Sequence, residues 1–494
     1  MSTEVEIKFV VKSDVSNALA GLLQGYEILE HAVKPLSNTY FDTNTYQFRQ
    51  FDFGLRTRRS VNFAEQTIKT AGVVRGGLHQ RPEYNLPLQG ELPTLVDFPA
   101  DIWPENTNIA QLQADLVDLF TTDFERTMWQ VRLPNGAEVE VVFDQGMVRS
   151  GQHSYPICEI ELELMQGSVD DLFNLAEQIA EFDGVRLGNV SKAKRGYQLA
   201  GLYEPKIQEL SLSTQVSKDE TLAEIFLRTL AQGYQHWQHH EQVYLETQDH
   251  AALSEVLKSI ALILHTLATY ADVLPKIRLQ QRELEWLFEQ FADIANALKL
   301  EQVLNNNGHL IRKYPDHKRL LKELSALQAA CINFDEIETL MTSVRYSKLT
   351  LAISRLLNRD SLTLATTASV HEFANLHLEI SWQSILNSGL AQDVLGAEQY
   401  MTEQAGLEYN VLVGQCFNHL FDDEIRNKFR LPWLDILQGI DDLEVIRLLR
   451  SIANMQNETT AAGMNKILLR KQASLLDALE QTRQQALMMQ PYWH

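Results

Sequence analysis

Residues 4–8 read Glu4-Val5-Glu6-Ile7-Lys8, three charges at two-residue spacing with apolar residues between them. Successive side chains of a strand point to opposite faces, so the charges share one face and Val5 and Ile7 share the other. Taken alone, this is the pattern of a sheet with its apolar face on a core and its charged face in water. The other strands decide between an outer and an inner charged face. Ile157–Leu164 (ICEIELEL) sets Glu159, Glu161 and Glu163 against Ile160, Leu162 and Leu164. Further along, GLRTRR places Arg56 and Arg58 together, QTIKT contributes Lys69, HQRPEYN contributes Arg81 and Glu83, and FERTMW contributes Arg126. Salt-bridged outer faces would scatter both signs, whereas here acids concentrate on two strands and bases on several others. That segregation predicts a barrel with apolar residues outside, under helices or loops, and charges turned into its lumen. Carboxylates there suit a hard divalent cation, which prefers oxygen ligands. Arginines and lysines there suit a phosphate chain.

The remaining composition bounds the partners. A chain of 494 residues is long enough for two or more domains. The formal net charge of −22 argues against general binding of nucleic acid or anionic membranes, both of which require a basic surface. With no apolar run of about 18 residues, and an N-terminus that reads straight into EVEIKFVV, the expectation is a cytoplasmic protein with no membrane partner. Cys158, Cys331 and Cys416 are far apart and lack metal-ligand spacing, as expected of reduced, buried thiols.

Composition divides the chain near residue 205, since 15 of its 23 glycines lie before that point. The first part reads as strands near 3–11, 37–42, 53–59, 64–70, 79–87, 124–133, 137–144 and 157–165, enough to close a barrel. Pro134-Asn135-Gly136 marks a hairpin between the sixth and seventh. After Glu204-Pro205 the pattern turns helical. Ser217 with Glu220 resembles a capping box, followed by Leu222, Ile225, Phe226 and Leu230 at helical spacing. Similar stripes run through 250–272, 279–300, 335–358, 390–415 and 461–488. The predicted fold is therefore a two-domain α+β chain. An eight-stranded antiparallel β-barrel with flanking helices occupies 1–204, and an all-α helical bundle occupies 218–494.

EVEIK resembles the ExExK signature of the CYTH family, the triphosphate tunnel metalloenzymes. NTYFDT, GLRTRR, IKTAG, HQRPEYN, DQG, ICEIELEL and SKAKRGY follow in that family's order over residues 1–202. Helical content and placement after such a domain also make 218–494 similar to the CHAD helical domain. The resemblance implies hydrolysis of inorganic tripolyphosphate to pyrophosphate and orthophosphate inside the tunnel, with Mg²⁺ or Mn²⁺. It implies Glu4, Glu6, Glu161 and Glu163 as metal ligands, with Glu159 on the same face, and Glu4, Glu6 and Lys8 as the catalytic signature. Lys8, Arg56, Arg58, Lys69, Arg81 and Arg126 would contact phosphate, while Lys192 and Arg195, spaced i, i+3, would close one end. Asp144 and Glu83 each have two readings, as metal ligand or water-orienting base, or as the partner that holds a neighbouring arginine. Tyr40 reads as a core tyrosine or as a hydrogen-bond donor to phosphate. Alternatives from the same resemblance are a thiamine triphosphatase, a nucleoside triphosphatase or a class IV adenylate cyclase. A non-catalytic scaffold binding polyphosphate is the reading from a different class.

The helical part departs from the CHAD pattern. An HxxR-like core with basic helices is expected, but residues 251–270 offer only Lys258 and His265. Residues 201–494 carry 26 lysines and arginines against 37 carboxylates, net −11, which makes a poor general binder of polyphosphate. A local patch of Arg312, Lys313, Lys318, Arg319 and Lys322 is the remaining candidate. His236, His239 and His240 fall within about one helical turn, and the reading favoured for them is an aromatic-flanked helix surface beside Tyr234 and Trp237.

Overall fold

A computed structural model of the chain describes residues 2–12, 14–211, 220–305, 317–359, 361–392, 394–454 and 458–494. The chain divides into two compact units, Met1–Lys206 with Glu338–Asp360, and Ile207–Ile337 with Ser361–His494.

The first unit is a closed antiparallel barrel. Its strands are β1 (Ser2–Val11), β2 (Glu27–Thr43), β3 (Gly54–Arg59), β4 (Ala64–Lys69), β5 (Val73–Arg75), β6 (Leu78–Pro87), β7 (Leu116–Arg132), β8 (Glu138–Ser150), β9 (His153–Gln166) and β10 (Val185–Gly188). Eight of them close in the order β1-β9-β8-β7-β2-β3-β4-β6, with β6 pairing back onto β1. One edge of β1 is shared, with β6 along residues 2–7 and β10 along residues 8–11. The β7–β8 hairpin turns at Gly136, whose φ of +89° is readily adopted by glycine.

Alternation along each strand places the charges inside. Ile7 and Phe9 of β1, Ile160 and Leu162 of β9, and Val139 and Val141 of β8 are fully buried. They pack outward in one core with Leu19 and Leu23 of the helix Ser16–Leu23 and with Leu172 and Phe173 of the helix Val169–Ile179. Each such side chain contributes roughly 1.5–3 kcal/mol of transfer free energy. A second core of Phe41, Phe48, Leu55, Ile68 and Trp103 backs the opposite wall. With its outer faces buried this way, the barrel keeps its charged faces for the lumen.

The second unit is helical, with long elements at Leu222–Thr247, His250–Tyr270, Ala397–Cys416, Asp423–Asn454 and Glu458–Leu487. Ser217 lies outside the described residues. The first helix is capped instead by Thr221, with Glu224 completing the box. The expected 335–358 helix is two, Phe334–Met341 and Val344–Leu357, broken where Ser343 caps the second by accepting from the Tyr346 amide. This second helix and its flanks, 338–360, belong to the barrel unit. His250–Tyr270 is long and apolar enough to cross a membrane, yet Leu253, Ile260, Ile263 and Leu267 on it are buried in the protein.

Candidate active site

Register across the barrel brings the charged faces together. Glu4 lies opposite Arg81 and Glu6 opposite His79 across β1–β6, while Glu6 faces Glu163 and Lys8 faces Glu161 across β1–β9. Glu140 faces Glu163 and Asp144 faces Glu159 across β8–β9, and Arg126 faces Asp144 across β7–β8. Directly opposed residues project from the same face. The result is a cavity of about 350 Å³ lined by Glu4, Glu6, Lys8, Arg56, Arg58, Lys69, Arg81, Glu83, Arg126, Glu161, Glu163 and Lys192.

Two groups of carboxylates share this lumen. In the first, the oxygens of Asp144, Glu159 and Glu161 lie within 4.8 Å of one another, and three cations hold them. Lys8 Nζ lies 2.7 Å from Glu161 and 3.2 Å from Glu159. Lys192 Nζ lies 2.7 Å from Asp144 and 3.1 Å from Glu161, and also pairs with Glu159. Arg126 donates two hydrogen bonds to Asp144, at 2.8 and 2.7 Å, and a third to Glu161 at 3.1 Å. Burial pushes the Glu161 carboxyl up, but Lys192, Lys8 and Arg126 together hold it well below the usual carboxylate range. Asp144 is fully buried, and Arg126 and Lys192 likewise outweigh burial and lower its pKa.

The second group is Glu4, Glu6, Glu163 and Glu140, which are short of cations. Glu4 pairs with Lys69, yet burial, aided by Glu6 and Glu83, raises it to about 7. Burial, with Glu4 and Glu140 nearby, raises Glu163 to about 8. Glu6 and Glu140 are raised as well, each first by burial. Buried carboxylates whose negative charge is disfavoured in this way are relieved by a bound cation. An all-oxygen donor set of this kind fits a hard divalent ion.

Opposite stands a cationic wall. Glu83 holds Arg56 at 3.3 Å and Lys69 at 3.5 Å, while Arg58 donates to Asn38 Oδ1 at 2.8 Å and meets Glu65 at 3.4 Å. Burial and the neighbouring Arg56 and Arg126 pull Arg58 down to about 10, the mark of guanidinium groups crowded without enough counter-charge. Tyr40 lines the same wall and stacks on Phe120 with ring centroids 4.6 Å apart. Asp144 and Glu83, for which the sequence leaves two roles, both hold cations here.

Two glycines explain motif positions. A Cβ on Gly72, which ends IKTAG, would collide with the Arg81 side chain, whose guanidinium is tied to the Thr70 and Asp52 carbonyls at 3.1 and 2.8 Å. A Cβ on Gly196 would enter the Phe120 ring, so glycine lets the helix Lys192–Leu199 approach β7 closely enough to deliver Lys192. The Arg195 guanidinium lies over the Tyr155 ring, 3.9 Å from the centroid. His79 and Glu140 line the cavity and were not singled out by the sequence. Both were legible, His79 lying two residues from Arg81 on one strand and Glu140 four from Asp144 on another.

In the helical unit Lys258, His265 and Arg319 each have a partner. Lys258 pairs with Glu255 at 2.6 Å. His265 is buried, shifted down to about 3 by desolvation, and its Nε2 lies 3.2 Å from the Thr269 hydroxyl. A neutral buried imidazole offers an anion no charge. His240 accepts from the Gln208 amide through Nε2 at 3.0 Å and meets the His236 carbonyl through Nδ1 at 2.8 Å, so it has no nitrogen left for a metal. Arg319 pairs with Glu323, whereas Arg312 and Lys313 lie outside the described residues. Cys416 is buried and Cys158 half-buried, the latter correcting the expectation of full burial, and the Cys331 side chain lies outside the described residues.

These features fit the family models that match the chain. Residues 2–197 match the CYTH domain and residues 228–404 the CHAD domain. The chain thus carries a CYTH domain followed by a CHAD domain. It is 38% identical over 204 residues to an inorganic triphosphatase of Haemophilus influenzae, covering 40% of this chain and 55%, about half, of that relative's length. Among solved structures it is similar to a putative adenylyl cyclase from Hippeastrum described as having a dominant triphosphatase activity. That match has 16% identity, covers 41% of this chain and 98% of the other, and has a TM-score of 0.29. It is also similar to the CHAD domain from the plant Ricinus communis, with 18% identity over 55% of this chain and 96% of the other and a TM-score of 0.42.

Proposed function

We propose that the barrel unit hydrolyses inorganic tripolyphosphate to pyrophosphate and orthophosphate with Mg²⁺ or Mn²⁺. The observation that carries this reading is the juxtaposition, in one lumen, of carboxylates whose proton affinity burial raises with a set of buried cations, Arg58 among them crowded by Arg56 and Arg126. A scaffold that only held polyanions would be improved by losing those carboxylates. The similarity to an inorganic triphosphatase supports the substrate class.

Tripolyphosphate carries roughly four to five negative charges near neutral pH, and burying it requires several fixed cations. Arg56, Arg58, Lys69 and Arg126 supply them from the wall, and Arg81 supplies one from the β6 side. Glu4, Glu6 and Glu163 would hold the divalent ion, with Glu159 and Glu161 as further oxygen donors on the same face. When bound, the ion would screen substrate from carboxylate and activate water for attack. Lys8 and Lys192 then face the oxygens on which charge develops as the phosphoanhydride bond breaks. The attacking oxygen comes from water, so no side-chain nucleophile is needed. Glu83 and Asp144 act by keeping Arg56, Lys69, Arg126 and Lys192 aimed.

The test is phosphate release from tripolyphosphate, ATP, thiamine triphosphate and long-chain polyphosphate, each with Mg²⁺, with Mn²⁺ and with EDTA. Preferential release from tripolyphosphate that EDTA abolishes supports the proposal. A preference for ATP or thiamine triphosphate would replace the substrate, and binding of polyphosphate without turnover by the folded, metal-supplied protein would replace the reaction with the scaffold.

A further inference from the structure

The segment Glu338–Asp360 lies inside the stretch that matches the CHAD domain, yet it is part of the barrel unit. Its contacts within that unit run along one path. Lys12 pairs with Glu338 at 2.8 Å, and the Gly184 amide donates to the Thr342 carbonyl at 3.1 Å. Ser347 Oγ donates to the Val185 carbonyl at the start of β10, and Leu351 enters the outer core of the barrel. Arg355 spans the helix Val169–Ile179, meeting Asp170 at 3.1 Å, Asn174 at 2.9 Å and Glu177 at 2.8 Å. Asn358 finishes the path by donating to the Arg75 carbonyl of β5 at 2.9 Å. Ser347, Leu351, Arg355 and Asn358 follow at intervals of four, four and three, one face of a helix.

What this face holds is the base of a site residue. β10 pairs with β1 through Lys8 and Gly188, and four residues after β10 the chain reaches Lys192, which holds Asp144, Glu159 and Glu161. A strand of four residues has little stability of its own. One edge of β10 is taken by β1, and the segment grips its N-terminal end from outside. We propose that Glu338–Asp360 is a brace that positions Lys192 through β10, so that the sequence matching the CHAD domain supplies a working part of the barrel site. The link to activity rests on the tunnel reading above, whereas the link to β10 does not.

The experiment uses the full chain with Arg355→Glu, which reverses the contacts to Asp170 and Glu177, with Ser347→Ala, and with Arg355→Lys as the conservative control. Hydrogen exchange is followed by mass spectrometry alongside tripolyphosphate kinetics. In Arg355→Glu, exchange at 185–188 and 192–199 should rise about ten-fold or more while the β7–β8 hairpin stays protected. The kcat for tripolyphosphate should fall about three-fold or more with KM less affected, and Arg355→Lys should recover much of both. Ser347→Ala, which keeps helix and charge, should loosen 185–188 selectively. Unchanged exchange at 185–199 in the folded variants, or equal loss across the whole barrel, would overturn the brace. A wild-type protein without triphosphatase activity would overturn only the tunnel reading, because the exchange pattern still decides the brace.

Discussion

The two carboxylate groups of the lumen are chemically alike and electrostatically opposite. Asp144, Glu159 and Glu161 sit among Lys8, Arg126 and Lys192, three acids to three bases, and the carboxyls of Asp144 and Glu161 are held below their usual range. Glu4, Glu6, Glu140 and Glu163 have Lys69 among them, and their carboxyls are pushed up. The difference separates carboxylates that the protein's own cations satisfy from those that only a bound cation would satisfy. A buried charge that has found its partner stabilises its surroundings relative to losing that partner, whereas one left unpaired is a standing cost that persists where a ligand relieves it.

The largest expected effect tests the second group. Glu6→Gln removes a proposed ligand and keeps the shape, so tripolyphosphate turnover should fall by on the order of 10³-fold or more. Thermal stability without metal should hold or rise, since a neutral amide relieves repulsion from Glu161. A folded variant with ordinary turnover would break the division between the groups. Next comes Asp144→Asn, the same kind of change in the first group, which should cost about 3 kcal/mol because it leaves Arg126 and Lys192 buried with less counter-charge. Denaturant unfolding measures it, and an unchanged midpoint would count against the structural role. A third expected effect is metal-induced stabilisation. Mg²⁺ or Mn²⁺ at about 100 times Kd should stabilise the wild type by about 2.7 kcal/mol. The melting temperature should return on adding EDTA, and Glu6→Gln should respond weakly.

How much of this was legible follows from period. Alternation by two is a local property, so the strands, their faces and most of the lumen could be read residue by residue. Glu140 and His79 obey the same rule and were there to be found. Which carboxylate has a cation is a tertiary fact, set by register between strands far apart in sequence, and a list of faces does not contain it. The same holds for 338–360. Its stripe announces a helix, and Ser343 even marks where it starts, but nothing local says that this helix serves the barrel. In the helical unit Lys258 is paired and His265 is held neutral, because acidic and apolar surroundings leave a lone base either paired or neutral.

The smallest expected effect sharpens the comparison through pH, measured in EDTA so that protons alone compete for the carboxylates. Glu163 has its folded pKa raised from 4.5 to about 8, so the folded state binds the proton more tightly than the unfolded chain. Stability from this group is complete below about 4.5 and is lost as pH rises through about 8. Asp144 and Glu161 have lowered folded values, so their contribution is present above the ordinary carboxylate range and is lost as pH falls through it. The metal-free barrel should therefore lose stability on both sides, by two separable causes. Glu163→Gln should make the alkaline limb shallower, with Glu4 still contributing to it, and leave the acid limb, whereas Asp144→Asn should make the acid limb shallower, with Glu161 still contributing, and leave the alkaline one. Solvent at Glu163 screens its charge and keeps the alkaline effect modest. Unfolding midpoints from about pH 5 to about pH 8 resolve that limb. A wild-type curve that rises over this range, or a Glu163→Gln curve parallel to the wild type, would show that the cavity already supplies the cation Glu163 is said to lack. Restoration of the alkaline limb by Mg²⁺ in the wild type but not in Glu163→Gln would identify the missing partner as the metal.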